Sequence, residues 1–371
     1  MSLSVFSSAC LYVISYLISS IFCLKYWRYK AKNNNFSFFS FLLLSATAVP
    51  YALLCANRSD VTGYDTYNNI IGYFNMKFGV EFVNDGFNYL YQYLRYFAFL
   101  LFDEKIEFWF FFVAYIPLVC INYVFRKFAK DEFQYVLDCF LFLLYLSPIM
   151  MDQSRQLMAI GISTLAIYNL YRDNIKCFII WTIICVLIHE SCIILFPLLP
   201  LYKLNYNRYS IVLVIFLMLF SVIILQYLIS LLYLILPPKF IYIQEQGKEV
   251  ASSGYAWLID VVPMLFVVYL YYRYRNKSSL KDIPLVFYAL SALPLRLAAY
   301  NSFFIMRLSY YGEIISIILL LNILSKLSFK EVRLWSCVGF LIFFTHWYMD
   351  FVFLRLNAAI PYGFSLQYLN Y

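Results

Sequence analysis

The chain has 371 residues, of which 64% are hydrophobic and only 13% charged, and its formal charge is +8. A soluble domain carries roughly 25% charged residues, so this chain cannot clothe itself in polar surface and lipid must be part of its solvent. The positive charge does not indicate nucleic acid, because no basic run is longer than Lys25–Lys32; in a membrane chain, basic residues gather in cytoplasmic loops.

In chain order the apolar runs lie at 2–24, 36–56, 106–125, 134–151, 156–171, 175–201, 209–236, 256–272, 283–300, 304–324 and 334–354. Most approach the ~20 residues that a spanning helix needs. The first run lacks a basic n-region and a small-residue cleavage motif, so it is expected to stay as a helix. Between the second and third, 57–105 reads as an ordered outer loop. Within it, 86–102 is apolar but holds Arg95 and several tyrosines, the pattern of a surface or re-entrant amphipathic helix. His189 and Glu190 interrupt 175–201 and split it into two short pieces. A second outer loop is expected at 237–255.

Lysine and arginine set the orientation. If 86–102 does not cross and 175–201 crosses twice, eighteen basic residues fall on one side and seven on the other. The alternative gives about fifteen against nine, so the positive-inside rule favours the first arrangement. The expectation is an all-α, polytopic membrane protein of about twelve transmembrane helices, with both termini outside and a single integral domain over 1–371. The nine cysteines lie in or beside apolar runs without CxxC spacing and read as unpaired, buried and inert. The 37 tyrosines and 38 phenylalanines fit aromatic belts and sugar-stacking subsites, and equally a coding bias.

A charge at the bilayer centre costs about 2.5–3.5 kcal/mol, so intramembrane charges are functional candidates. Here they are Asp138, Asp152, Arg155, His189, Glu190, Asp260, Arg296, Arg307, Glu313, His346 and Asp350. All except Asp138 and Glu313 fall toward the outer helix ends, as if lining one polar cavity open to the outside. A plainer reading exists for each: Asp152 and Arg155 are spaced as a helix-end ion pair, and either histidine fits a satisfied core position. His189 is the stronger of the two, because Glu190 and Ser191 follow it at a helix break. The sequence has no DxD, P-loop, GxSxG or HExxH. What remains is arginine, suited to diphosphate through forked hydrogen bonds, and carboxylate or histidine, suited to taking a proton from a hydroxyl.

Gly63-Tyr64-Asp65-Thr66-Tyr67, then Asp85-Gly86-Phe87-Asn88-Tyr89-Leu90, resembles the first large outer loop of EpsG/Wzy-type polysaccharide polymerases. Arg155-Gln156-Leu157-Met158-Ala159 looks like that family's Arg-Gln-x-x-Ala helix, and His189-Glu190-Ser191 like its His-x-Ser. The resemblance is clear over residues 1–200 and continues as hydrophobic pattern beyond. Tyr67 stands two residues after Asp65 where the family has four, and Asp85 stands where it often has Glu-Pro.

The resemblance implies a GT-C-like glycosyltransferase of O-antigen or exopolysaccharide assembly. Such an enzyme moves a growing glycan from undecaprenyl diphosphate onto another undecaprenyl-diphosphate-linked oligosaccharide at the outer face of the bacterial inner membrane. With no DxD in the sequence, no metal or cofactor is expected, and no nucleic-acid partner; the bilayer is the surroundings and a chain-length regulator an optional partner. Leaving-group charge needs fixed cations, for which Arg155, Arg296 and Arg307 are the candidates. Asp65 and His189 are the candidate bases, with Glu190 third. Tyr64, Tyr67, Tyr242 and Trp257 are candidates for stacking on sugars. A lipid-linked oligosaccharide flippase, an O-antigen ligase and a glycan-modifying acyltransferase are the competing readings. A flippase needs access from both sides and often shows repeats, whereas these charges favour one side.

Overall fold

A computed structural model describes residues 3–33, 37–60, 62–63, 66–78, 89–103, 105–204, 256–298, 303–354 and 362–363, with backbone alone at 77–78, 147–150, 152, 256–258, 260, 297–298 and 303–306. Regular structure among these residues is helical, without a β-strand. The chain divides into two compact units, Met1–Cys192 with Ser328–Tyr371, and Ile193–Leu327.

The first unit opens with α1 (Val5–Lys32), α2 (Phe38–Ala56), α3 (Thr66–Phe74), α4 (Tyr89–Phe102), α5 (Ile106–Phe128), α6 (Glu132–Asp152), α7 (Ser154–Tyr171) and α8 (Ile175–Ile188). The second holds α9 (Leu198–Lys203), α10 (Ala256–Arg273), α11 (Asp282–Ala298) and α12 (Phe303–Leu324). The chain then returns to the first unit as α13 (Phe329–Trp347), extended by a π-helical turn over Tyr348–Phe353. Five of these helices are long and apolar enough to cross a membrane: α1, α2, α5, α12 and α13 with its π turn. The protein is therefore a multi-pass membrane protein. Large apolar side chains such as Phe6, Leu17, Ile21, Phe38 and Phe39 are exposed on the first two helices, a liability in water but not against acyl chains.

Every expected run within the described residues coincides with a helix, because an apolar segment in lipid must satisfy its own backbone; 209–236 and 237–255 lie outside them. The ends follow local chemistry. The Ser4 hydroxyl accepts the Ser7 N–H at 3.1 Å to start α1, and Lys30 and Lys32 face the negative end of its dipole. Ser37 and Ser40 cap α2 reciprocally at 3.2 Å. The Ser328 N–H donates to Glu331 at 2.9 Å to open α13. At the awkward run 175–201, α8 stops at Ile188, a 3-10 turn spans Glu190–Leu195, and α9 has six residues. Neither piece alone reaches the ~20 residues of a straight span.

In the first unit α1 packs on α2 and α6, α2 on α5, α5 on α7, α7 on α8, and α6 on α13. The α5–α7 crossing is close: a Cβ at Gly161 would lie 2.1 Å from the Pro117 Cβ, so only glycine fits there. Asn122 Nδ2 donates to Thr47 Oγ1 at 2.7 Å inside the α2–α5 seam. All nine cysteines are free as expected, although only five are buried and Cys337 is exposed.

In the second unit α11 and α12 pair most closely. A Cβ at Gly312 would meet the Ala292 Cβ at 2.6 Å, which keeps the two backbones together. The fully buried Asp282 carboxylate accepts from the Ser279 N–H, Asn322 Nδ2 and Lys326 Nζ, so the charge opening α11 is compensated from the far end of α12.

Candidate active site

The hairpin of α7 and α8 sets the frame. The two helices pack side by side and are joined by a turn in which the Arg172 N–H bonds to the Tyr168 carbonyl and the Asp173 N–H to the Leu170 carbonyl. Antiparallel neighbours bring the start of one and the end of the other to the same end. Arg155, in the first turn of α7, and His189, immediately after α8, therefore share one end of the hairpin although 34 positions apart in sequence.

The first loop is tied to that end. Gly63 has φ +85°, and a Cβ there would lie 2.1 Å from the Met151 carbonyl oxygen at the end of α6. Both the backbone angle and the space require glycine. The Thr66 hydroxyl donates to the Thr62 carbonyl at 2.6 Å, and the Ser59 N–H to the Gly363 carbonyl at 2.7 Å. The loop is thus braced by its own turn, by the chain's last described residues and by the segment leading into Arg155. Asp65 and Tyr64, between Gly63 and Thr66, lie outside the described residues, as do Tyr242 and the side chains of Trp257, Asp152 and Asp260.

Tyr91 of α4 forms the wall beside Arg155. Its ring is buried, its hydroxyl donates to Asn69 Oδ1 of α3 at 3.3 Å, and it meets Trp109 edge-on at 5.0 Å. The Arg155 guanidinium lies 5.7 Å from the Tyr91 ring centroid, within cation–π range. Among the described residues Arg155 is paired with no carboxylate. Burial pushes the Tyr91 phenol up from its ordinary value, opposed by the charges of Arg155 and Arg95. Arg95, one turn along α4, donates to Gln92 Oε1 and lies against the Cβ-free face of Gly72 in α3. Arg58, 1% exposed at the end of α2, stacks 4.1 Å from the Phe110 ring centroid and reaches the Met151 sulfur at 3.8 Å.

His189 ends α8 in extended conformation, φ −152° and ψ 120°, with its N–H on the Cys185 carbonyl at 2.8 Å. Its Nδ1 faces Ser191 twice, at 2.7 Å from Oγ and 3.3 Å from the backbone N. Glu190 begins the 3-10 turn, half-buried, with Oε2 lacking a hydrogen-bond partner among the described residues.

The remaining candidates have other surroundings. Arg296 and Arg307 belong to the second unit, where Arg296 bonds to Glu313 at 2.7 Å and 2.8 Å, and Ser309 Oγ donates to the same carboxylate oxygen at 3.0 Å. Arg296 also stacks 4.9 Å from Tyr310. Arg307 is half-buried on the same helix as Glu313. Tyr67 is 53% exposed on α3. His346 is buried edge-on against Tyr145 at 4.8 Å. Asp138 is wholly buried, and neither of its oxygens has a partner among the described residues.

Sequence reasoning missed Tyr91 as the neighbour of Arg155, and with it Asn69, which accepts from the Tyr91 hydroxyl, and the buried Arg58. Tyr91 and Arg95 sit four apart on one face of α4, but Tyr26–Lys30, Tyr123–Lys127 and Tyr168–Arg172 share that spacing, so it does not single this tyrosine out. Arg58 carried no mark either.

A model of the EpsG family matches residues 41–371. No curated protein and no solved structure matches the chain.

Proposed function

Since the chain belongs to the EpsG family, we propose that it is a polysaccharide polymerase. It transfers a growing glycan from undecaprenyl diphosphate onto an undecaprenyl-diphosphate-linked repeat unit. The setting is the periplasmic face of a bacterial inner membrane, within a GT-C-like frame of about twelve crossings.

The observation that carries this reading is Arg155: a guanidinium held against an aromatic wall, with no carboxylate partner among the described residues, at the hairpin end that also holds His189. A cation whose charge is not already neutralised suits a diphosphate leaving group, which accumulates negative charge as the glycosidic bond breaks. Arginine binds two phosphate oxygens at once. The attacking sugar hydroxyl gives its proton to a base as the new bond forms, with Asp65, His189 and Glu190 as the available groups. Arg307 is a second diphosphate contact. Arg296, satisfied by Glu313, is assigned to joining α11 and α12. Tyr64, Tyr67, Tyr242 and Trp257 offer sugar-stacking faces. No divalent metal is invoked.

Glycan-chain profiling of a deletion strain tests the reading. Loss of a polymerase leaves a single repeat unit on the final acceptor. No attached units would mark a ligase instead, and units trapped inside the cell a flippase.

A further inference from the structure

The geometry points to Ser191 as the positioning residue of His189: it fixes the ring as the Nε2–H tautomer, so that His189 serves the reaction as a hydrogen-bond donor and not as the proton acceptor. The reactive setting rests on the proposed polymerase function; the tautomer does not.

The argument begins with the Ser191 backbone. An amide N–H only donates, and it points at His189 Nδ1 from 3.3 Å. A proton on Nδ1 would meet it head-on. Nδ1 is therefore the bare, accepting nitrogen of a neutral ring, and the ring proton sits on Nε2. The Ser191 hydroxyl, 2.7 Å from the same nitrogen, then acts as donor and fills the accepting site a second time. Local structure imposes this contact. His189 leaves α8 in extended conformation, and the 3-10 turn from Glu190 folds the chain back, with the Cys192 N–H on the His189 carbonyl at 3.1 Å. Residue 191 thus comes beneath the imidazole, where a short hydroxyl side chain reaches Nδ1.

The chemical consequence is a division of roles. To act as base through Nε2, the imidazole would need its proton on Nδ1, against the Ser191 N–H. As the Nε2–H tautomer it donates to an oxygen, whether of the leaving diphosphate or of the acceptor sugar. The proton released by the acceptor hydroxyl then goes to a carboxylate, Asp65 or Glu190.

Two measurements test this. The chain has only two histidines, so the full-length protein with 15N-labelled histidine and His346→Gln shows a single ring by NMR. A protonated Nε2 and bare Nδ1 are expected at neutral pH, with the preference weakened but not abolished in Ser191→Ala, which loses the hydroxyl donor and keeps the backbone N–H. A protonated Nδ1 in the wild-type protein would overturn the inference whatever the enzyme's function. The second measurement is polymer formation in a deletion strain carrying variants at matched protein level. Glutamine places an N–H donor where Nε2–H stands, so His189→Gln should stay within about tenfold of wild type, the scale of one hydrogen bond. Loss of a base would cost about 100-fold or more. Ser191→Ala should lose about tenfold, and Ser191→Thr should recover it, which repacking alone would not. Loss of about 100-fold in a folded His189→Gln would sink the donor role and leave the polymerase reading standing; the reverse holds if the NMR result stands but the deletion strain still polymerises.

Discussion

Arg155 in the first unit and Arg296 in the second carry the same group in apolar surroundings, yet the fold treats them oppositely. Arg296 is 7% exposed and locked to Glu313, itself 1% exposed, with Ser309 completing the cluster. Arg155 is half-buried and faces a ring. A buried ion pair compensates its own charges and has nothing left for a ligand. A cation set against a π face keeps most of its capacity for an anion. Three arginines that were equivalent as letters in the sequence thus differ in their surroundings: Arg155 faces a ring, Arg296 is paired with Glu313, and Arg307 is half-buried on the helix that carries Glu313.

The sharpest way to break this contrast is Arg155→Lys. An ammonium keeps the charge but loses the fork. Removing a preorganised transition-state contact costs about 100-fold or more in rate, while an exchange at a half-buried position leaves stability within about 0.5 kcal/mol. The expected outcome is a single-repeat glycan profile with protein at wild-type level and melting temperature. Normal polymer from this variant would remove Arg155 from the chemistry.

The opposite pattern is expected in the second unit. Glu313→Leu strands a buried guanidinium and should destabilise by about 3–5 kcal/mol, seen as a lowered melting temperature of the purified protein in detergent. Arg296→Met with Glu313→Leu removes both charges and should recover most of that loss along with polymer formation. A stable double variant without polymer would show that Arg296 has a chemical role and that the two arginines are alike after all.

The sequence disclosed what depends on periodicity and cost. Runs of apolar residues located the helices because lipid gives an unpaired backbone no other solution, and 86–102 read correctly as helical, observed as Tyr89–Phe102. The break at His189 was visible because a histidine and a glutamate interrupt an apolar run. Gly63 could be placed in a motif, but not explained: its reason is the Met151 carbonyl, which comes from a contact 88 positions away in sequence. Partnerships were illegible for the same reason. Nothing in the spacing of 296 and 313 announces a salt bridge between two helices, and a tyrosine in a chain with 37 of them does not identify itself as the neighbour of Arg155. Composition reports which groups are present, whereas tertiary contact decides which of them are already spent.

Tyr91 offers the finest test of the contrast, because it is the only partner described for Arg155. If the ring face holds the guanidinium, its removal should matter more than the loss of its hydroxyl. Cation–π contacts are worth about 0.5–1 kcal/mol when exposed and about 2 when desolvated, and about 1.4 kcal/mol is tenfold in rate. Tyr91→Leu should therefore lower polymer formation by roughly tenfold at matched protein level. Tyr91→Phe keeps the ring and forfeits only the bond to Asn69. It should cost about 1 kcal/mol of stability and leave polymer length close to wild type. Equal losses in the two variants would shift the role from the ring to the hydroxyl. Wild-type polymer from Tyr91→Leu would mean that Arg155 is held by something else, and that its difference from Arg296 lies in having no carboxylate partner among the described residues.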